Sequence, residues 1–131
     1  METQSTSSET TQNLPYVDGF VLVIAKENVE QYRKMAAAAG KIWREHGALA
    51  FMETVGDDLE AKDHVPFPKM AQAKEGETVV FSWIVYQSRE QRDAVNAKVM
   101  ADQRIHDLMQ GPDIFDCKRI AYGGFRTIVS L

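Results

Sequence analysis

Residues 78–86 read TVVFSWIVY, and the alternation in this stretch decides the fold. Phe81, Trp83 and Val85 fall on one parity; Val80, Ile84 and Tyr86 fall on the other. A strand sends successive side chains to opposite faces, so both faces of this strand are apolar. Residues 16–25, YVDGFVLVIA, repeat the pattern, with Val17, Val21 and Val23 against Phe20, Leu22 and Ile24. A sheet with one wet face alternates apolar and polar residues instead. These strands are therefore expected to be covered twice, once by the chain's own helices and once by something else.

The flanking segments supply the helices. Asn28, with Gln31 three residues on, reads as a capping box before an amphipathic helix. Its apolar stripe is Val29, Tyr32, Met35, Ala36, Ala39, Ile42 and Trp43; Gly40 is tolerated inside it, and Gly47 stops it. Residues 48–55 form a second strand. Residues 57–76 are a long connection interrupted by Pro66 and Pro68, with room for one helical turn in PKMAQAK. After the TVVFSWIVY strand, Ser88 and Gln91 form another capping box and open a helix running to about Met100. Arg89 and Asp93 are placed as an exposed i,i+4 pair on it. A short helix within 102–110 follows, Gly111-Pro112 breaks the chain, and residues 119–129 form a fourth strand. Gly123-Gly124 weakens that strand and predicts a bulge or a close backbone approach.

The order strand, helix, strand, strand, helix, strand predicts an α+β, ferredoxin-like βαββαβ fold with a four-stranded antiparallel sheet. Right-handed crossovers put both helices on one face. The other apolar face predicts a partner, with a second copy packed sheet to sheet as the commoner solution and a tightly bound heterologous protein as the alternative.

Bulk properties narrow the classes. The 131 residues fit one domain, residues 15–131, after a Ser/Thr-rich segment, residues 1–14, read as a disordered tail. With 44% hydrophobic and 26% charged residues the class is soluble globular. The net charge of −4 and the lack of any Lys/Arg cluster exclude a nucleic-acid footprint. No apolar run is long enough for a membrane span. Cys117 is the single cysteine, so a reducing, cytoplasmic setting is expected.

YVDGFVLVI, VVFSWIVYQSREQRDAVNAKVMAD and KRIAYGGF, in this order and spacing, resemble the YbaA-like family of small bacterial proteins across residues 16–128. The resemblance implies a dimeric α/β barrel, two ferredoxin-like sheets closed face to face. It carries over no catalytic residue, because the family is one of unknown function. The wider superfamily includes cofactor-free monooxygenases, haem-degrading enzymes, isomerases and plain ligand-binding proteins, too broad a range to assign an activity.

Candidate chemistry comes from polar residues in apolar surroundings. Asp18, Glu53, Ser82, Arg119 and Arg126 interrupt the strands. Buried charges must be paired or hydrogen-bonded, so Asp18 or Glu53 is expected either to pair with an arginine across the sheet or to serve as a base. His64 lies in the long connection beside Pro66 and Phe67, where a lid over a cavity would lie, and either serves as acid or base or is a solvated loop residue. His46 ends the first helix, where a cation suits the dipole, and His106 reads as surface. Trp83 and Tyr86 point to opposite faces, so one packs against the helices and the other faces the barrel, as core or as a wall for a flat ligand. Cys117 reads as a small half-buried residue. No histidine has metal-ligand spacing, and no cofactor is expected. Three functions compete: an enzyme acting on a small aromatic or carbonyl compound, with catalytic candidates His64, Glu53 and Asp18 and ligand-binding candidates Trp83, Tyr86 and Phe67; a non-catalytic binding module; and a protein-interaction dimer with a filled barrel.

Overall fold

The computed structural model describes residues 14–111 and 113–131. The tail assigned to residues 1–14 lies outside the described residues except for Leu14, and so does Pro112 of the Gly-Pro break. The elements are β1 (Tyr16–Ala25), α1 (Val29–Glu45), β2 (Ala50–Val55), α2 (Phe67–Met70), β3 (Glu77–Tyr86), α3 (Arg89–Met100), α4 (Gln103–Met109) and β4 (Ala121–Arg126). The four strands form one antiparallel sheet in the order β2-β3-β1-β4, and the fold is α+β.

The β1–β3 register pairs Asp18 with Ile84, Phe20 with Ser82 and Leu22 with Val80, so these residues share one face. That face meets the helices. One core cluster joins Ile84 and Tyr86 to Val95, Val99 and Ile105; a second joins Leu22 and Val80 to Tyr32 and Ile114. The opposite face carries Val17, Val21, Phe81, Trp83, Val85 and Phe125. None of the protein's helices α1, α3 or α4 packs on it, and Phe125 is 61% and Phe81 46% exposed.

Local caps differ in detail from the sequence reading. Ser88 caps α3, its hydroxyl accepting from the Gln91 amide at 3.0 Å. Asn28 makes no side-chain cap. A 3-10 turn, Lys26–Asn28, leads into α1 instead, and the Lys26 carbonyl accepts from the Val29 amide. Gly47, at φ +119°, ends α1 as expected of glycine there. Asp93 is held by adjacent Arg92 at 2.8 Å rather than by Arg89.

β4 is shorter than the predicted 119–129. Arg119 belongs to a 3-10 turn, Cys117–Arg119, and Arg126 already faces Tyr16, the first residue of β1, so β1 has no residue left to pair beyond it. The pairing runs through Gly123 and Gly124 one to one, without a bulge. What Gly124 provides is clearance: a Cβ there would lie 2.4 Å from the Tyr16 hydroxyl.

Candidate functional site

Between the sheet's helix-side face and α1 and α3 lies a cavity of about 480 Å³. Its walls are mainly apolar, with Phe20, Leu22, Met35, Trp43, Ile84 and Phe115 among them. Two carboxylates, Asp18 and Glu53, line it. The register explains why they meet: Asp18 faces Ile84, and Glu53 faces Ser82, two residues away on the same face of β3.

The two acids have different surroundings. Asp18 is 1% exposed, and Arg92 Nη1 donates to its Oδ1 at 2.9 Å. The same nitrogen donates to the Tyr122 hydroxyl at 2.7 Å, and the guanidinium lies 5.1 Å from the Tyr16 ring centre. Trp43 Nε1 and the Tyr86 hydroxyl each donate to Asn96 Oδ1 at 3.2 Å, leaving the Asn96 amide for Asp18. Burial pushes the Asp18 carboxyl above the ordinary range; Arg92 and hydrogen bonds from Tyr122 and Asn96 oppose it. The expected pairing across the sheet with Arg119 or Arg126 does not form. Arg92 approaches from α3, above the sheet, while Arg119 binds Glu77 through both oxygens at 2.8 and 2.9 Å.

Glu53 has no ion-pair partner among the described residues. The Tyr32 hydroxyl donates to its Oε1 at 2.7 Å, and Ser82 also bonds it. Burial raises its pKa, and these two hydrogen bonds oppose the rise. Burial and the neighbouring Glu53 charge raise the Tyr32 hydroxyl as well, so Tyr32 stays a donor. A carboxylate held by neutral donors in an apolar cavity is a stronger base than a solvated one.

Of the remaining catalytic and ligand-binding candidates, Trp83 also borders this cavity; Tyr86, Phe67 and His64 do not. Tyr86 is fully buried on the helix-side face, beneath the Asp18 network. The Trp83 ring is on the opposite face, in a row with Phe81 and Phe67 at centre separations of 5.4 and 6.1 Å. His64 is exposed in the long connection and is not among the residues lining this cavity. His46 Nε2 lies 2.8 Å from Asp102 Oδ2, joining the end of α1 to the start of α4. Cys117 is exposed rather than half-buried, because the turn that replaces the strand start turns it outward to the cavity's edge. Among the described residues no group of three or more His, Cys, Asp and Glu is arranged to hold a metal ion. No helix among them is long and apolar enough to cross a membrane.

Sequence reasoning missed Tyr32, Arg92, Asn96 and Tyr122. Tyr32 passed as one more apolar position of the helix stripe. Arg92 and Asn96 lie four apart, beside Val95 and Val99, on the stripe that α3 buries. Polar residues on a buried stripe were the available signal.

A second concavity, a lateral groove of about 780 Å³, runs between the outer side of α1 and the edge strand β2. It shares Ala36, Phe51 and Glu53 with the cavity, so these side chains divide the two spaces. The Phe51 ring lies against the α1 backbone at Gly40, where a Cβ would be 2.6 Å from Phe51 Cδ1. A glycine inside a helix costs about 1 kcal/mol relative to alanine. Here it makes room for that ring.

The fold resembles that of a NIPSNAP-family protein of unknown function from Agrobacterium tumefaciens, with a TM-score of 0.55 over 88% of this chain and 89% of that one; at 12% identity the likeness concerns the fold alone. In sequence the chain is 41% identical over 116 residues to the uncharacterised protein YbaA of Escherichia coli K12, covering 88% of this chain and 98% of that protein. The YbaA of Shigella flexneri matches at the same identity and coverage. Residues 15–117 match the family described as protein of unknown function (DUF1428). The chain therefore belongs to the DUF1428 family of YbaA-like proteins, for which no specific activity is established.

Proposed function

We propose that this protein is an enzyme that moves a proton on a small aromatic or carbonyl compound held in the cavity between sheet and helices. The observation that carries this reading is Glu53: a carboxylate without a cation, oriented by Tyr32 and Ser82, facing an apolar space large enough for a small ring. In the step envisaged, Glu53 takes a proton from carbon next to a carbonyl, and the C–H electron pair passes into the enolate. Return of the proton at another carbon gives an isomer. Asp18, bonded to Arg92, holds the adjacent wall and is not the base.

The assembly belongs to the same reading. The strand order fits a ferredoxin-like sheet, and its open face suits a second copy. From Val17 to Val23 and from Val79 to Val85 that face carries no charge; at its end Glu77 is neutralised by Arg119. Two such faces closing on each other would make the dimeric barrel and bring Trp83 and Phe67 into the interface. A cytoplasmic location fits the composition.

The test is deuterium exchange at the α-carbon of a panel of aryl ketones and aldehydes, followed by proton NMR. Exchange above the buffer rate that disappears in Glu53→Gln supports the enzyme. Compounds that raise the melting temperature without any exchange point to the second reading, a binding module using the same cavity.

A further inference from the structure

We propose that the lateral groove is the entrance to the cavity and recognises an anion: Lys41 and Arg44 hold a carboxylate of the ligand at the rim, while its ring or chain passes Phe51 toward Glu53. This rests on the pocket reading above and adds the charge of the ligand and its way in.

Three observations converge. Groove and cavity share Phe51 and Glu53, so displacement of one half-buried aromatic side chain joins them. Phe51 is at the edge of the sheet, since β2 has a neighbour on one side only. Its ring touches the helix at Gly40 and leans on Trp43 at 6.0 Å between ring centres. Edge strands have fewer constraints than central ones, and this is where a small displacement is easiest.

The groove's charges are the second observation. Arg33 is neutralised by Glu30 at 2.5 Å, and Glu45 by Arg104 at 2.8 Å. Arg44 donates to the Ala48 and Leu49 carbonyls, which hold its position without cancelling its charge. Lys41 has no carboxylate partner among the described residues. Two uncompensated cations thus stand three residues apart on the helix face that lines the groove, where i and i+3 are neighbours.

Third, the order of charges sets the ligand's direction. An anionic group driven fully inward would meet Glu53, a like charge in an apolar space, at high cost. With the anion held at the rim, the apolar part faces the apolar walls and its reactive carbon faces Glu53. The ligand class is therefore a small aromatic or carbonyl compound that carries a carboxylate at one end.

The probes are benzoate and its neutral counterpart benzamide, titrated calorimetrically into the intact protein with amide NMR shifts to locate the site. Benzoate is expected to bind about fivefold tighter at low salt, the size of one exposed ion pair, and salt should shrink the difference. Lys41→Gln should remove most of the preference and leave benzamide binding unchanged; as a surface change it tests recognition rather than folding. If both compounds bind equally and Lys41→Gln changes neither, the anion inference falls and the pocket reading stands. If benzoate shifts are centred on another basic site, such as Lys118 and Arg119, the inference also falls. If neither compound binds at millimolar concentration, the inference and the pocket reading fall together.

Discussion

Gly40→Ala should destabilise this protein, although alanine is the better helix former. The substitution gains about 0.5–1 kcal/mol of backbone entropy in a helix interior. Against this, the new Cβ would stand 2.6 Å from Phe51 Cδ1 and 2.9 Å from Cε1. Carbon pairs are at rest near ~3.5–4.0 Å, so ring and helix must separate by roughly 1 Å. Withdrawing the ring gives up its packing against Trp43, 6.0 Å away between ring centres, so the displacement has a cost. Forced overpacking of this kind costs about 1–3 kcal/mol, which leaves a net loss of about 1 kcal/mol. Removing the ring reverses the sign: in a Phe51→Ala background Gly40→Ala should stabilise by about 0.5–1 kcal/mol. The coupling across the cycle should therefore be roughly 2 kcal/mol. Urea denaturation of the four proteins, with equal m-values, measures it. Stabilisation by Gly40→Ala of the same size in both backgrounds would refute the assignment of the glycine to Phe51, and with it the idea that this ring is held as a divider between groove and cavity.

Other outcomes follow from the same geometry. Glu53→Gln should raise stability at neutral pH, because it removes a carboxylate whose ionisation burial opposes. The sign follows from its raised folded pKa: ionisation costs stability as pH rises from the unfolded to the folded pKa, so the advantage of glutamine should fade as acid protonates Glu53. An advantage that stays constant down to the acid range would contradict this. Ser88→Ala should cost about 1 kcal/mol in thermal or urea unfolding through loss of the Gln91 amide's acceptor, whereas Asn28→Ala should cost only a few tenths, since Asn28 makes no cap bond. Light scattering should give twice the 14.8 kDa chain mass for the wild type at micromolar concentration, and Phe81→Glu, which puts a charge on the open face, should shift it to the monomer mass. A wild type that stays monomeric would remove the proposed barrel.

Much of the fold was legible because its determinants are local. The alternation through 78–86 and 16–25 depends only on the two-residue repeat of a strand, and it identified both strands and both their faces. The Ser88–Gln91 cap spans three residues, and the helix stop at Gly47 depends on one residue's freedom to take positive φ. The same local logic failed at Asn28, where a 3-10 turn leads into the helix without a side-chain cap, and beyond Arg126, where the start of β1 at Tyr16 left the predicted strand without a partner.

The candidate site was legible as a set of residue types and not as a site. Sequence alone marked Asp18 and Glu53 as acids out of place in apolar strands, since burying a charge demands compensation wherever it occurs. It could not say which acid is compensated. Arg92 reaches Asp18 across 74 positions, and Tyr32 reaches Glu53 across 21. Contacts at such separations exist only once α1 and α3 are laid on the sheet. The same holds for Gly40, which in sequence is only a weak point in a helix and in the folded chain is the clearance for Phe51, a residue of the neighbouring strand. Periodicity and capping act over a few residues and are written in the chain. The difference between a paired and an unpaired carboxylate depends on groups brought together by packing, and only the tertiary structure decided it.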